Sequence, residues 1–165
     1  MRFYSETLGK HDRTTFSSGN ERIDRYFKET VSQDIKRRYA VCNVLIERET
    51  GRLAGFYTLS SHSIPLTDIA PETAKKLPRY PSVPAALIGW LGRDLAFRGQ
   101  EVGGLLLFDA IARLINSPAG VHAICADAID DAAAAFYREH QFTAFASRPL
   151  GLYLPMKTAQ DLLNK

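Results

Sequence analysis

A strand-like run, a glycine-rich turn and an amphipathic helix follow one another between residues 85 and 114. Residues 85–91 are apolar, and the turn reads Arg-Gly-Gln-Glu-Val-Gly-Gly over residues 98–104, here called the glycine turn. The helix face that follows is predicted from the spacing of Leu107, Ala110, Ile111 and Leu114. The first turn of a helix has free backbone N–H groups at the positive end of its dipole. The glycine turn is therefore suited to bind a pyrophosphate, with Arg98 as an additional donor.

The spacing of the glycine turn matches neither of two common phosphate motifs. It lacks the Gly-Lys-Ser/Thr of a P-loop and the G-x-G-x-x-G of dinucleotide-binding folds. Glycine-rich turns are also frequent connectors, so the turn alone does not identify a ligand.

The N-terminal half of the chain predicts a helix followed by a hairpin. Residues 18–21 have the Ser-x-x-Glu form of a capping box, and apolar residues then recur every three or four positions up to Ile35. Residues 40–47 and 53–61 have the composition of strands, with a glycine-containing turn between them.

The C-terminal half alternates strands and helices. Five prolines between residues 65 and 84 leave room for one short helix, over residues 72–77. Asp130 and Asp131 are placed at the start of an alanine-rich helix, where carboxylates complement the positive helix end. Further strands are predicted over residues 121–126, 142–145 and 150–154. This order of elements indicates a mixed α/β sheet protein with a single domain, residues 1–165.

Composition limits the class of protein. Hydrophobic residues make up 45% of the chain and charged residues 24%, as in ordinary globular domains. No apolar run approaches the ~20 residues of a membrane helix, and the N-terminus lacks the apolar core of a signal peptide, so a cytoplasmic protein without membrane contact is expected. Cys42 and Cys125 lie in apolar runs and are predicted to be buried free thiols. The cysteines and histidines lack metal-ligand spacing, so we expect no metal.

The excess of positive charge lies in the first quarter of the chain. Residues 1–40 carry nine Lys or Arg against six Asp or Glu, whereas residues 41–165 carry twelve of each. Part of the excess is the run Lys36, Arg37 and Arg38, here called the basic cluster. Basic residues complement the negative end of a helix, and they also contact nucleic-acid phosphates. Charge alone leaves both interpretations open.

The glycine turn resembles the acetyl-CoA signature of the GNAT acetyltransferase superfamily, Arg/Gln-x-x-Gly-x-Gly/Ala at the start of a helix. Four blocks are similar, in order, to one branch of it, the acetyltransferase toxins of bacterial toxin–antitoxin pairs: FSSGNERIDRYFKE, GRLAGFYTLSSHSIP, VPAALIGWLGRDLAFRGQEVGGLLLFDAIARL and DAAAAFYREHQF. The resemblance covers roughly residues 16–154. It implies the GNAT fold, a mixed, mostly antiparallel sheet that is splayed at the centre with helices on both faces.

The resemblance also implies where the co-substrate acetyl-CoA binds. The pantetheine arm pairs with the backbone of Leu91, Gly92 and Arg93. The pyrophosphate lies on the amides of the glycine turn, which comprises Arg98, Gly99, Gln100, Glu101, Val102, Gly103 and Gly104. Phe136 packs near the cofactor, and Tyr137 is the catalytic residue. A phenol with a pKa near 10 stays protonated at neutral pH and can donate a proton to the departing thiolate.

The sequence departs from the family pattern at three positions. Glu101 stands where the family has a glycine in the turn, Trp90 where arginine is common, and Gln141 where a glycine follows the tyrosine helix. The carboxylate of Glu101 would add negative charge close to a polyanion, and a positive φ there would be strained. A catalytically weakened binding protein is therefore one interpretation of the chain.

The resemblance further implies the substrate and the partners. The toxin branch acetylates the α-amine of aminoacyl-tRNA, blocks translation and is paired with a ribbon-helix-helix antitoxin. An α-amine with a pKa of about 8 needs no strong base, whereas a lysine at about 10.4 needs one. Asp94, Asp127 and Asp130 are candidate bases, so acetylation of a protein N-terminus, a lysine or a small amine stays open. In the tRNA interpretation the basic cluster contacts the tRNA backbone, and a homodimer is left open.

Overall fold

The computed structural model describes residues 1–164, which divide into two compact units. The first unit combines Met1–Ser60 with Gly89–Ala110, and the second combines Ser61–Ile88 with residues 111–164. Each unit is therefore built from two separate stretches of the chain. The prediction of a single domain stays a prediction.

The first stretch of the first unit, Met1–Ser60, contains strands and a helical segment. Its strands are β1, β2 and most of β3, and its helical segment consists of α1, a π-helical turn and α2. The bounds are β1 Phe3–Thr7, α1 Glu21–Arg25, π turn Tyr26–Thr30, α2 Val31–Lys36, β2 Val41–Glu47 and β3 Leu53–Pro65. The second stretch adds the end of β4, a 3-10 segment and most of α4, with bounds β4 Ser82–Arg93, 3-10 segment Leu95–Phe97 and α4 Val102–Ile115.

Aromatic side chains form the core of the first unit. The rings of Phe27 and Phe56 stack with centroids 4.1 Å apart, and Phe16 meets both edge-on. Phe27 belongs to the apolar face that the spacing in the sequence predicts for the first helix. The start of this helix differs from the prediction, because Asn20 and not Ser18 is the N-cap and accepts the amides of Arg22 and Ile23.

A π-helical turn interrupts this helix, which the spacing does not predict. It spans Tyr26–Thr30 and locally widens the helix. The guanidinium of Arg13 donates to the carbonyl oxygen of Phe27 at 2.6 Å and to the hydroxyl of Ser32 at 3.2 Å. A side chain from outside the helix therefore satisfies a carbonyl at the irregular turn.

The second unit consists of the end of β3, the start of β4, the end of α4 and the C-terminal elements. Its remaining elements are a 3-10 segment Leu66–Asp68, α3 Pro71–Ala74, β5 Ala123–Asp127, α5 Asp131–Glu139, β6 Thr143–Phe145, β7 Arg148–Pro155 and α6 Met156–Leu163. Its core includes Ile64, Ile69 and Cys125. The predicted helix over residues 72–77 is shorter than expected. Strand β1 and helix α6 were not predicted, because neither segment has a long enough apolar pattern.

The strands of residues 1–164 are hydrogen-bonded in the order β1-β2-β3-β4-β5-β7-β6. The pairs β1–β2, β2–β3, β5–β7 and β6–β7 are antiparallel, and β4–β5 is parallel. This confirms the expected mixed and mostly antiparallel sheet. The parallel register of β4 with β5 joins residues 85–88 to residues 123–126 and stops there.

Both cysteines are buried free thiols, as predicted. Burial raises the pKa of Cys42 and of Cys125 to about 12, so neither thiol is ionised at neutral pH. Within residues 1–164, no His, Cys, Asp and Glu side chains form a group that could hold a metal ion. In the same residues no helix has both the length and the apolar character needed to cross a membrane.

Candidate active site

A buried carboxylate anchors the start of the glycine turn. Asp94 is 3% exposed, its Oδ1 accepts the amide of Ala96 at 2.8 Å, and its Oδ2 accepts the amide of Ser17 at 3.1 Å. Leu95 in turn donates its amide to the carbonyl of Ser17 at 2.9 Å. These bonds fix the 3-10 segment that leads into the turn. Because both oxygens of Asp94 are bonded and buried, this carboxylate is a structural anchor and a poor candidate for a catalytic base.

The glycine turn presents backbone amides at the start of α4. The first hydrogen bond of the helix joins the amide of Leu105 to the carbonyl of Glu101 at 3.1 Å. The helix itself therefore offers no acceptor for the amides of Val102, Gly103 and Gly104. Together with the positive end of the helix dipole, three such amides are suited to hold an anion.

Two buried polar atoms in this part of the chain lack a partner. Within residues 1–164, neither Nε of Arg93 nor Oε1 of Gln100 forms a hydrogen bond. A buried polar atom without a partner costs about 1–3 kcal/mol, so such atoms are rare unless a ligand satisfies them. Acetyl-CoA carries amide and phosphate groups that fit a donor and an acceptor placed here. The residues present are thus compatible with that co-substrate.

The end of β4 depends on a glycine for packing. A Cβ at Gly92 would lie 2.7 Å from Cγ2 of Ile23 and 2.8 Å from Cε1 of Phe56. Gly92 therefore lets α1 pack closely on the strand, a structural reason for this residue beside its predicted role in cofactor binding. Residues 91–93 lie beyond the stretch of β4 that is paired with β5. Their backbone groups on that side are those that an extended ligand arm would pair with.

The three departures from the family pattern have different structural consequences. Among residues 1–164, three non-glycine residues have a positive φ: Arg38, Glu101 and Gln141. Glu101, with φ of 60°, and Gln141, with φ of 74°, therefore occupy left-handed positions that glycine adopts without strain. The side chain of Glu101 is exposed. Trp90 instead stacks on Tyr26, with ring centroids 4.3 Å apart.

Tyr137 is held by the C-terminal end of α5 in the second unit. The amide of Phe142 donates to the carbonyl of Tyr137, and the amide of Gln141 donates to the carbonyl of Arg138, both at 3.1 Å. With Gln141 in the left-handed region, these bonds form a Schellman motif. The Phe142 ring lies 5.1 Å from the Tyr137 ring, which is the apolar contact that accompanies the motif. The tyrosine is thereby fixed from both its backbone and its ring.

The environment of Tyr137 keeps its phenol neutral. The residue is 5% exposed, and burial raises the pKa of the phenol well above its ordinary value, with a further contribution from the negative charge of Asp127. The ring of Phe136, half-buried, lies 5.3 Å from that of Tyr137. Asp130 is the N-cap of α5 and accepts the amide of Ala133 at 2.8 Å. Asp127, exposed at the end of β5, is thus the candidate base that is least engaged in the structure.

The basic cluster lies at the end of α2. Lys36 is the last residue of the helix, Arg37 is its C-cap, and all three side chains are exposed. None of them forms an ion pair with any residue in the described part of the chain. Their position at the end of α2 agrees with the interpretation that they complement the negative end of the helix. Because they have no ion-pair partner within residues 1–164, their charges are also available to phosphates.

The structure distributes the predicted site residues over both units. The basic cluster, residues 91–93 and the glycine turn belong to the first unit, whereas Phe136 and Tyr137 belong to the second. The sequence interpretation missed the anchoring role of Asp94. A signal for it existed, because an aspartate two residues before a free amide is typical of a local cap.

No family model matches the sequence. The probable toxin TacT of Sinorhizobium fredii is 31% identical over 164 residues, covering 94% of this chain and 91% of the relative. The tRNA-acetylating toxin of Mycobacterium tuberculosis is 33% identical over 155 residues, covering 93% of this chain and 91% of the relative. The chain belongs to the acetyltransferase toxin family. The resemblance carried by the four sequence blocks is thereby confirmed.

Solved structures of this toxin family show the same fold. A mutant of KacT superposes with a TM-score of 0.89 at 23% identity, covering 98% of this chain and 99% of that chain. AtaT in complex with acetyl-methionyl-tRNAfMet gives a TM-score of 0.86 at 22% identity, with the same coverage. A further AtaT structure contains the C-terminus of the antitoxin AtaR and acetyl-CoA, with a TM-score of 0.83 at 18% identity and full coverage of both chains. The GNAT fold of the toxin family is therefore the fold of this chain.

Proposed function

We propose that the chain is an acetyl-CoA-dependent N-acetyltransferase toxin that acetylates the α-amine of aminoacyl-tRNA and thereby inhibits translation. The observation that carries this proposal is the 33% identity to a tRNA-acetylating toxin over 93% of the chain. AtaT, which shares the fold, has been captured with an acetylated aminoacyl-tRNA. Aminoacyl-tRNA is a cytoplasmic substrate, so the cytoplasm is the proposed location.

Residues 91–104 are proposed to hold acetyl-CoA. The amides of Val102, Gly103 and Gly104 bind the pyrophosphate, and the exposed guanidinium of Arg98 adds charge-assisted hydrogen bonds. The backbone of residues 91–93 pairs with the pantetheine arm. The unpartnered atoms of Arg93 and Gln100 gain hydrogen bonds when the co-substrate is bound.

Tyr137 is proposed to supply the proton that the reaction needs. Bound acetyl-CoA provides a thioester, whose acetyl group forms a new C–N bond with the neutral α-amine while the C–S bond breaks. The phenol of Tyr137 donates its proton to the departing sulfur, the amine loses one proton to solvent or to Asp127, and the phenolate regains a proton from solvent. Burial raises the pKa of the phenol, so the donor is protonated at the pH at which an α-amine becomes neutral.

The pKa of the α-amine supports aminoacyl-tRNA as the acetyl acceptor. An α-amine has a pKa of about 7.7–8 and an ester on the same residue lowers it, so a neutral nucleophile is available without a strong base. Asp94 and Asp130 are committed to structural hydrogen bonds, which leaves Asp127 as the carboxylate available to a more basic amine. The scarcity of free carboxylates among these candidates therefore favours the α-amine over lysine.

The proposed partners are aminoacyl-tRNA and a cognate antitoxin. AtaT has been solved with the C-terminus of its antitoxin AtaR, and a complex of KacTA with DNA has been solved as well. A ribbon-helix-helix antitoxin, which binds DNA, is the class proposed for this chain. A homodimer remains part of the proposal without a surface assigned to it.

Incubation with labelled acetyl-CoA and charged total tRNA tests the proposed function. After nuclease digestion, mass spectrometry should detect N-acetylated aminoacyl adducts, and translation in a cell-free extract should stop. Transfer to a protein or small amine without adducts on tRNA would assign a different acceptor. Tight binding of acetyl-CoA without transfer to any amine would favour the weakened binding protein.

Glu101→Gly should tighten acetyl-CoA binding by about 2- to 10-fold. One negative charge near a pyrophosphate at the protein surface opposes binding by about 1 kcal/mol. The substitution also removes the left-handed strain at φ of 60°, which should raise the melting temperature by about 2–4 °C. Isothermal calorimetry and thermal unfolding measure the two effects.

Two control variants separate charge from strain at this position. Glu101→Gln keeps the strained backbone and removes the charge, so it should share the gain in affinity but not the gain in stability. Gln141→Gly relieves equivalent strain at φ of 74° without removing a charge, so it should only raise stability. Unchanged or weaker binding by Glu101→Gly would show that this exposed carboxylate does not face the pyrophosphate.

A further inference from the structure

The residue that follows the basic cluster is an exposed tyrosine with a fixed backbone. The amide of Tyr39 donates to the carbonyl of Asp34 at 2.8 Å, and the amide of Arg38 donates to the carbonyl of Ile35 at 3.1 Å. Arg38 has φ of 60°. These features are those of a Schellman motif at the end of α2, in which Tyr39 is the first residue beyond the left-handed position.

The ring of Tyr39 does not make the packing contact that is usual for its position in a Schellman motif. In this motif an apolar residue at that position commonly packs back onto the last turn of the helix. Here the opposing residue is Asp34, whose carboxylate accepts the hydroxyl of Tyr26 at 2.8 Å instead. Tyr39 is 72% exposed, and its side chain makes no hydrogen bond or ring contact within residues 1–164. The ring is therefore presented to solvent on a rigid backbone.

The surroundings of Tyr39 are cationic. The three side chains of the basic cluster precede it directly and form no ion pair in the described chain. The nearest carboxylate along the helix, Asp34, keeps its negative charge but accepts the hydroxyl of Tyr26 and forms no ion pair with the basic cluster. Val41, two residues after Tyr39, is 54% exposed and adds apolar surface. Cations without an ion-pair partner, next in the chain to an exposed aromatic ring, are a combination with which proteins bind single-stranded nucleic acid.

We propose that residues 36–39 bind a single-stranded segment of the acceptor RNA, with the Tyr39 ring stacked on an unpaired base and the basic cluster on the flanking phosphates. This proposal rests on the proposed function, since it takes the RNA from it. The aminoacyl ester is carried by an unpaired RNA end, which offers a base face that a double helix does not. An acidic peptide would satisfy the cations but would leave the ring without a stacking partner.

The test uses the full chain without acetyl-CoA, so that binding is measured apart from transfer. Fluorescence anisotropy compares an RNA hairpin that has a single-stranded 3′ extension with the same hairpin ending blunt, over a series of salt concentrations. Tyr39→Ala should weaken binding of the extended hairpin about 5- to 150-fold, the range of one stacked base. It should leave the blunt hairpin and the salt slope unchanged. Tyr39→Phe, which keeps the ring, should bind like the parent.

Substitution of the basic cluster should change the salt dependence of binding for both hairpins, unlike substitution of Tyr39. Changing Lys36, Arg37 and Arg38 to glutamine should reduce the salt slope by about 0.7–0.9 for each phosphate that the variant no longer neutralises, for both hairpins. Lys157→Gln, which removes an exposed charge on α6, is the control and should leave the slope unchanged. Circular dichroism of each variant should match that of the parent.

Several results would overturn the proposal. One is an unchanged affinity of Tyr39→Ala for the extended hairpin, and another is an equal loss for both hairpins. A loss that follows Tyr80→Ala instead would move the contact to the other strongly exposed tyrosine, which is 70% exposed. Equal weakening of polyglutamate binding by Tyr39→Ala would indicate an acidic protein partner. Failure of acetyl transfer to tRNA, with the stacking signature intact, would contradict the proposed function and not this contact.

Discussion

Replacing Tyr137 by phenylalanine should leave a folded protein that binds acetyl-CoA but transfers the acetyl group about 10²–10⁴-fold more slowly, the usual contribution of general acid catalysis. Only the hydroxyl is removed, so the ring contact with Phe142 and the Schellman motif are kept. If the hydroxyl protonates the departing sulfur, kcat should fall with little change in KM. Steady-state kinetics with aminoacyl-tRNA, together with calorimetry for acetyl-CoA, measures both quantities.

The pH profile provides a second check on Tyr137. Burial raises the pKa of the phenol, so its protonated form persists above the ordinary value of 10.0. Activity should therefore rise as the amine loses its proton and then stay level, without a decline near pH 10. Turnover by Tyr137→Phe equal to that of the parent would exclude the phenol as the proton donor. Equal increases in KM and decreases in kcat would indicate that the hydroxyl positions the substrate.

Gly103→Asp should weaken acetyl-CoA binding at least about 100-fold while the protein stays folded. Like charges brought together in a binding site cost several kcal/mol, and about 1.4 kcal/mol corresponds to a factor of ten. An aspartate in the first turn of α4 is compatible with the helix, because a carboxylate is favourable at that end. Calorimetry should show the loss of binding, and circular dichroism should show an unchanged spectrum.

A neutral variant separates charge from size at the same position. Gly103→Asn adds a side chain of nearly the same shape without the charge, so it should bind acetyl-CoA more tightly than Gly103→Asp does. Equal losses in the two variants would mean that the side chain blocks the ligand sterically. Parent-like affinity in both would remove the start of α4 from the cofactor site.

Local patterns were sufficient to locate most of the helices and strands. The prediction over residues 40–47 corresponds to β2 Val41–Glu47, and that over residues 121–126 to β5 Ala123–Asp127. Such patterns work because one buried face repeats at a fixed period along the element. They failed at the N-cap of α1, where Ser18 and Asn20 are both good cap residues. In the structure Asn20 is the cap, and the hydroxyl of Ser18 donates to the carboxylate of Asp24 at 2.7 Å.

The sequence also marked two of the positions with a left-handed backbone, although it did not reveal their φ angles. Comparison with the family pattern marked Glu101 and Gln141 as replacements of glycine, and both have a left-handed backbone in the structure. The third such residue, Arg38, was not marked, because no glycine pattern pointed to it. A positive φ follows from hydrogen bonds between residues several positions apart, so a residue's identity alone does not reveal it.

The order of elements, the glycine turn and the toxin family follow from the sequence by itself, because each depends on patterns of neighbouring residues. The tertiary structure alone decided which polar and aromatic side chains are buried and which are exposed to solvent. It buried Asp94 and left Asp127 exposed, although both follow apolar strands. It also buried Tyr26 against Trp90, 64 positions further along the chain, and left Tyr39 exposed. Burial depends on what the fold brings over a side chain, and that neighbour is distant in sequence.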